Sequence, residues 1–151
     1  MADFNYDQPF VVVGGLIEKD SKFLLVHESH GPYKGLWNIP GGKWDAHESI
    51  LDGATREVLE ETGYRFAPKK LLGAYARHKT NSSTLQFIFV GDISVGQGDL
   101  KGDVDEIRWF SEEEIMAMGK DTLRGDIIKQ FIHDYRAGHT YPFDFLKGFR
   151  G

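Results

Sequence analysis

Three glutamates at helical spacing are the residues of this sequence best suited to chemistry. Glu57, Glu60 and Glu61 stand at positions i, i+3 and i+4, and at about 100° per residue they share an arc of roughly 100° on a helix. Apolar residues fall on the other side of that helix: Leu51, Ala54, Val58 and Leu59. Like charges at this spacing repel one another and, near the C-terminal end, oppose the helix dipole. A divalent cation such as Mg²⁺ or Mn²⁺ would relieve this repulsion, because both ions prefer several oxygen ligands.

Neighbouring residues decide between this interpretation and a solvated acidic face, which is what an isolated E-x-x-E-E usually forms. Arg56 adjoins Glu57 and is able to hold a carboxylate in one orientation through a two-pronged hydrogen bond. Gly53, one turn earlier, predicts a bare helix face that backbone or substrate approaches. Pro40-Gly41-Gly42 predicts a turn, which is also able to direct a backbone carbonyl at the cation. Together these features favour a metal site.

Residues 42–64 resemble the Nudix box, G-x5-E-x7-R-E-U-x-E-E-x-G-U, in which U is an aliphatic residue. They match every specified position but the last, where Tyr64 affects packing and not chemistry. GLWNIPG before the box and EIRWFSEEEI after it are also Nudix-like. The resemblance implies an α+β fold, the Nudix α/β/α sandwich with a mixed sheet and a catalytic loop-helix-loop. It also implies hydrolysis of nucleoside diphosphates linked to another moiety, with Mg²⁺ or Mn²⁺ as the cofactor.

The resemblance also implies roles for individual residues of the box. The metal ligands of the family fall on three glutamates and one backbone carbonyl: Glu57, Glu60, Glu61 and Gly41. Glu48 and Arg56 fall on the pair that orients them. Cations held there would neutralise the pyrophosphate, generate hydroxide from water and stabilise the leaving oxygen. Glu57 is the first choice for the group that activates the water.

A loop outside the box supplies the catalytic base in some relatives and a further acidic ligand in many. Here that loop is residues 102–106, directly before the strand containing Trp109. Glu106 is the first candidate in it, followed by Asp105 and Asp103. Exposed acids are common at strand ends, so a charged strand entry is the alternative, and the base stays open between box and loop.

Aromatic and cationic residues near the box are candidates for binding the substrate. Trp37 precedes the turn of the metal loop and Tyr33 lies in a Gly/Pro-containing loop, so each is a candidate for stacking on a base. Packing in the core is the alternative for both. Lys34, Arg77 and His78 are candidates for countering phosphate charge, with solvated surface as their alternative.

The tail DYRAGHTYPFDFL is similar to the tail of the bacterial NudJ branch of the family, as are the LWN-P-G entry and the D-x-x-RW-S-x-EE stretch. This implies nucleoside tri- and diphosphates, or a phosphorylated thiamine precursor, as substrates. Short aromatic spacing is equally typical of a strap that packs on the core.

Strands must frame the carboxylate helix. Apolar runs predict a hairpin over residues 10–28 with its turn at Lys19-Asp20, a short strand at GLWNI, and a second antiparallel pair over residues 70–78 and 83–93. A further strand is predicted over residues 106–110.

Three helices complete the prediction. The first runs from Ser49 to Thr62 and ends at a left-handed Gly63. Ser111-x-x-Glu114 is a capping box for a short second helix, and an amphipathic helix runs over residues 122–137. The absence of regular βαβ alternation favours an α+β sandwich over a doubly wound sheet.

Composition narrows the class of protein. A chain of 151 residues with 40% hydrophobic content predicts one domain, with the box at 42–64 and the C-terminal helix and tail at 122–151. The absence of cysteine excludes thiolate metal sites. A net charge of −5 argues against broad polynucleotide binding. No stretch resembles a signal peptide or membrane span, so we expect a soluble, cytoplasmic protein.

The predicted function is Mg²⁺- or Mn²⁺-dependent hydrolysis of a pyrophosphate bond in a small nucleoside di- or triphosphate or a nucleoside-diphosphate derivative. Oxidised nucleotides, nucleotide sugars and the 5′ end of RNA stay open as substrates, and RNA fits the acidic charge least. A non-catalytic module that senses a nucleotide is the alternative from another class. Such modules tend to lose box carboxylates, whereas all of them remain here. The expected partner is a small phosphorylated molecule, with no membrane or nucleic acid, and the oligomeric state stays open, a homodimer being one option.

Overall fold

Eight strands and three α-helices form within residues 8–80, 82–96, 100 and 103–149, the part of the chain that the computed structural model describes. The strands are β1 (Phe10–Leu16), β2 (Glu18–Lys19), β3 (Lys22–Glu28), β4 (Trp37–Asn38), β5 (Gly41–Lys43), β6 (Tyr64–Lys79), β7 (Ser82–Val95) and β8 (Val104–Ser111). The helices are α1 (Ile50–Thr62), α2 (Glu112–Met116) and α3 (Ile127–Arg136). The Gly/Pro-containing loop around Tyr33, predicted over residues 30–34, contains a short 3₁₀ turn, Gly31–Tyr33.

The strands are divided between two sheets. The first has the order β5-β1-β7-β6, in which β1 and β7 are parallel and the other pairs antiparallel. In the second, β3 pairs antiparallel with β2, β4 and β8. The predicted hairpin is right for β2 and β3, whose turn places Asp20 and Ser21 at φ of 50° and 62°. It is wrong for β1, because β5 and β7 occupy both edges of that strand.

Side chains that alternate along the central strands separate the core into two layers. On β3, Phe23 and Leu25 join one buried cluster while Leu24 joins the other. Helix α1 packs on the Leu24 side through Val58, and helix α3 packs on the other side through Phe131. The sheets therefore lie between α1 and α3, which confirms the predicted α+β fold of the α/β/α type.

Helix α3 begins later than predicted, at Ile127 and not at residue 122. Residues 122–124 instead extend along the edge of β4: the Trp37 amide donates to the Thr122 carbonyl at 2.8 Å, and the Arg124 amide donates to the Trp37 carbonyl at 2.9 Å. These backbone groups are used by the sheet and are unavailable to a helix. The predicted end of the helix is correct, with Gly138 at φ 75°.

The tail packs on the first sheet. Tyr141 exchanges two backbone hydrogen bonds with Leu71, each of 2.8 Å, and the Phe143 ring contacts Phe89 edge to face with centroids 5.9 Å apart. The tail is thus placed as the strap that its aromatic spacing allows. In the described part of the chain, no helix has the length and apolarity needed to cross a membrane.

Candidate active site

Helix α1 carries the three glutamates with both of its ends fixed. The Ser49 hydroxyl accepts a hydrogen bond from the Asp52 amide at 3.0 Å, which caps the start. At the end, Gly63 takes φ 74° and its amide donates to the Leu59 carbonyl at 2.8 Å. Because Val58 is fully buried against the sheet, the rotation of the helix about its axis is set.

Arg56 is the centre of a carboxylate network. Its Nε and Nη2 donate to the two oxygens of Glu48 at 2.9 and 2.8 Å, and its Nη1 donates to Glu57 at 2.8 Å. A longer contact of 3.4 Å reaches Glu60, and Asp45 lies 3.3 Å away. Hydrogen bonding from Arg56 lowers the pKa of Glu48. Two-pronged contacts of this kind fix the orientation of a carboxylate as well as balancing its charge. Arg56 therefore holds Glu48 and Glu57 in place.

Gly53 serves this network and not a ligand. The residue is buried, and a Cβ there would lie 2.9 Å from Glu48 Oε1 and 3.2 Å from Trp44 and Val13 side-chain atoms. The predicted bare helix face is therefore wrong at this turn, because Glu48 and Trp44 cover it.

Two of the helix carboxylates are withdrawn from water. Glu61 Oε1 accepts a hydrogen bond from the Gly41 amide at 2.6 Å, and burial raises the pKa of Glu61 to about 8. Burial also raises the pKa of Glu57, against the opposing effect of Arg56. Gly42 permits this proximity, since a Cβ there would lie 2.6 Å from Glu57 Oε2. The Pro40-Gly41-Gly42 backbone thus lies directly against two candidate ligands.

A cleft of about 690 Å³ opens at these groups. The three helix glutamates line it together with Gly41 and Gly42. Further residues reach it from β3, from the 3₁₀ turn, from β6 and from the segment before α3; the charged and phenolic ones are Glu28, Tyr33, Arg77, Lys79 and Arg124.

Glu28 and Arg124 form an ion pair beside the helix carboxylates. Arg124 Nη1 donates to Glu28 Oε1 at 2.9 Å, and Asn38 Nδ2 donates to the same oxygen at 3.4 Å. Glu28 is only 9% exposed. Its negative charge is one cause of the raised pKa of Glu61, which Arg124 opposes, so the ion pair and Glu61 lie within electrostatic reach of each other.

Two of the five predicted substrate-binding residues line the cleft, and the other three lie elsewhere. Tyr33 and Arg77 line the cleft, whereas Lys34 is exposed outside it. His78 points to the other face of β6, where its Nδ1 lies 3.2 Å from the Ser83 hydroxyl. Trp37 is 8% exposed and packs in the core between two rings of the second sheet, with centroids 4.8 and 4.9 Å away. It is therefore placed for packing and not for stacking on a base.

Of the three acids in the predicted 102–106 loop, all of them described, one lies at the cleft. Asp103 lines it, and the Asp103 carbonyl accepts from the Ser29 amide at 2.7 Å. Asp105 instead pairs with His27 Nδ1 at 2.7 Å, and Glu106 accepts from Arg108 Nε at 3.1 Å, outside the cleft. Gly102, the first residue of the predicted loop, lies outside the described residues.

Four charged residues of the cleft escaped the sequence reasoning: Glu28, Lys43, Lys79 and Arg124. Strand alternation contains a signal for Lys79, because i and i+2 on β6 share a face with Arg77. Glu28 and Arg124 carry no local signal, since their contact joins residues far apart in the chain.

The donor groups fit a hard divalent cation in type. Mg²⁺ and Mn²⁺ take carboxylate and carbonyl oxygens, and these are the groups that the helix and the Gly41-Gly42 backbone present. Arg56 holds Glu57 and Glu60. Within the described residues, no three histidine, aspartate or glutamate side chains are already gathered in ligand geometry.

A family model described as the NUDIX domain matches residues 8–132. The chain belongs to the Nudix family. The residues that match the Nudix box include Arg56, the carboxylates around it and the helix glutamates that line the cleft. The α/β/α layering of the fold is that of solved Nudix structures.

Individual relatives support the same conclusion. Phosphatase NudJ of Escherichia coli O1:K1 / APEC is 31% identical over 147 residues, which cover 94% of this chain and 93% of the relative. A NUDIX hydrolase from Nitrosomonas europaea is 37% identical with a TM-score of 0.85, covering 94% of this chain and 98% of that one. The MutT protein from Methanosarcina mazei Go1 is 30% identical with a TM-score of 0.74, covering 87% and 96%. The chain is thus a Nudix pyrophosphohydrolase similar to NudJ phosphatases.

Proposed function

We propose that this Nudix enzyme hydrolyses a pyrophosphate bond in a small nucleoside di- or triphosphate, or a related organic diphosphate, with Mg²⁺ or Mn²⁺. The observation that carries the proposal is the cleft, in which three carboxylates and a glycine backbone lie beside a set of cationic side chains. Carboxylates suit a cation that binds pyrophosphate, and cationic side chains suit the phosphate oxygens themselves. The neighbouring tail packs on the same core, and we therefore include it in the same domain.

Glu57, Glu60, Glu61 and the Gly41 carbonyl would hold the cation. When bound, it would supply charge neutralisation at the phosphate oxygens and lower the pKa of water. Arg56 fixes the orientation of Glu57, and the Gly41 amide fixes that of Glu61. Water attacks phosphorus, its proton passes to a carboxylate, and the bond from phosphorus to the bridging oxygen breaks to give two phosphorylated products.

Glu57 is our choice for the group that accepts the proton. It lines the cleft, its side chain is 14% exposed, and Arg56 holds it in one orientation, as a general base requires. Asp103 is the alternative from the loop, because it is the loop acid that lines the cleft.

A phosphate-release screen over nucleotides and pyrophosphate esters, run with Mg²⁺, with Mn²⁺ and with excess EDTA, tests the function. Glu57→Gln should lower kcat at least ~10²-fold, as expected for a general base or metal ligand. Glu106→Gln removes the same charge outside the cleft and should retain most of the activity. Undiminished hydrolysis in EDTA would contradict the metal-dependent function, and equal losses in the two variants would contradict the role given to Glu57.

A further inference from the structure

Arg77, Lys79 and Arg124 form a cationic group in the cleft, arranged around Tyr33. The Arg124 guanidinium lies over the Tyr33 ring, 4.0 Å from its centroid, and Lys79 Nζ lies 4.6 Å from the same centroid. Lys79 also donates a hydrogen bond to the Tyr33 hydroxyl. These contacts are of the cation–π and charge-assisted types, so Tyr33 holds two of the three cations. Its ring is engaged by Arg124 and is not a free platform for a base.

The third cation, Arg77, occupies space that the absence of a side chain at Gly125 leaves open. Arg77 lies against Gly125, where a Cβ would come within 2.7 Å of Arg77 Nη2. Any larger residue at position 125 would push the guanidinium away from its present position. The cleft therefore accommodates Arg77 through the size of a residue in another segment of the chain.

Neutralisation of the three cations is incomplete. Arg124 pairs with Glu28 at 2.9 Å, whereas in the described part of the chain neither Arg77 nor Lys79 has a carboxylate within 4.0 Å. Among the described residues, Arg77 and Lys79 thus face the cleft without a carboxylate partner, as does Lys43 of β5, in a protein of net charge −5. Such a group attracts an anionic part of a ligand.

We propose that Tyr33 is a positioning residue that holds Lys79 and Arg124, which with Arg77 form an anion subsite for the free terminal phosphate of the substrate. This inference rests on the proposed function. A terminal phosphate carries more negative charge than a phosphate capped by a sugar, and it offers more oxygens to the three cations. The subsite therefore selects substrates with an uncapped phosphate end over nucleotide sugars, whose neutral cap leaves the cations without a partner.

ADP and ADP-ribose form a matched pair of ligands for the test, because they share a nucleoside and two phosphates and differ in the cap. Lys79→Met should weaken ADP binding about 10-fold, as expected for the loss of one charge-assisted contact, and change ADP-ribose binding less than about 2-fold. The dissociation constants are measured by calorimetry in EDTA, where no turnover occurs. Lys70→Met is the control, since Lys70 is exposed on the same strand and lies outside the cleft.

Tyr33 variants separate positioning from general packing. Tyr33→Phe keeps the ring beneath Arg124 and removes the hydroxyl contact to Lys79, whereas Tyr33→Leu removes both. ADP affinity should therefore fall more in the leucine variant, and with Mg²⁺ the loss should appear in KM for ADP more than in kcat.

Equal weakening of ADP and ADP-ribose by Lys79→Met, or equal effects of Lys79→Met and Lys70→Met, would overturn the subsite. Turnover of both compounds with Mg²⁺ in that case would leave the hydrolase function standing. Conversely, the expected binding pattern without hydrolysis of any pyrophosphate ester would support the subsite and refute the proposed function.

Discussion

Replacing Glu61 by glutamine should stabilise the metal-free protein at neutral pH. Burial raises the pKa of this carboxyl from 4.5 to about 8, so the folded protein holds a proton that the unfolded chain releases. The free energy of unfolding therefore falls as pH rises from 4.5 to about 8. The loss is absent below the unfolded-state pKa of 4.5 and complete above the folded-state pKa of about 8. At pH 7 it amounts to at most about 3 kcal/mol. Glutamine keeps the shape and an oxygen for the Gly41 amide, and it does not ionise.

Thermal unfolding in EDTA, from pH 5 to pH 8, measures this effect. The wild-type melting temperature should fall across the range, and the Glu61→Gln protein should exceed it at pH 8 by up to roughly 10 °C for a chain of this size. At pH 5 the two proteins should melt at similar temperatures. Glu60→Gln removes one negative charge from the same helix turn at a more exposed position, and should gain much less.

The same unfolding experiment is repeated with Mg²⁺ in place of EDTA. Mg²⁺ binds the folded state and should raise the wild-type melting temperature, and this rise should shrink in Glu61→Gln if Glu61 is a ligand. A wild-type melting temperature in EDTA that is constant from pH 5 to pH 8, together with no gain in the variant, would refute the reasoning that burial places this carboxylate under strain.

Two other substitutions test the surroundings of the ligands. Arg56→Met leaves Glu48 and Glu57 buried without their cation, and should lower the free energy of unfolding in urea by about 2–4 kcal/mol. Adding Glu48→Gln should recover part of this loss. If Arg56→Met has no effect on stability, the carboxylate network around Arg56 is contradicted. Gly42→Ala should lower kcat/KM by at least about 10-fold with little change in melting temperature, because the new Cβ displaces Glu57 from a distance of 2.6 Å. Gly119→Ala, where a Cβ meets nothing within 4 Å, is the control, and equal activity of the two alanine variants would show that Gly42 does not constrain Glu57.

Local signals account for what the sequence predicts correctly. Helix α1 is defined by a cap at Ser49, a left-handed end at Gly63 and an apolar face in between, and all three are readable within fifteen or so residues of chain. The carboxylates share that helix, so predicting the helix places them together. The predicted start of α2 at Ser111 is correct for the same reason, since the Ser111 hydroxyl accepts a hydrogen bond from the Glu114 amide.

Contacts between distant segments account for what it misses. The hairpin prediction pairs β1 with β3 because they are neighbours in sequence, but pairing in a sheet depends on strands that come much later. Which residues of β6 face the cleft depends on register, which shifts at two irregularities, between Pro68 and Lys70 and between Leu71 and Gly73. The site role of Arg124 depends on residues 122–124 lying along β4, and a helical pattern over the same residues conceals it.

The parallel pairing of β1 with β7 has a consequence for the order of folding. It joins Phe10 to Thr84, so β1 cannot complete the first sheet until the long segment that contains the whole Nudix box has been synthesised and β7 has formed. Strands β6 and β7 follow one another in the chain, so their pairing should form earlier, since contacts that are local in sequence form faster. Helix α1 packs on both β1 and β6, and the cleft is therefore among the last parts of the molecule to take shape. We therefore expect the carboxylates of α1 and the cations of β6 to come together only after β1 has paired with β7.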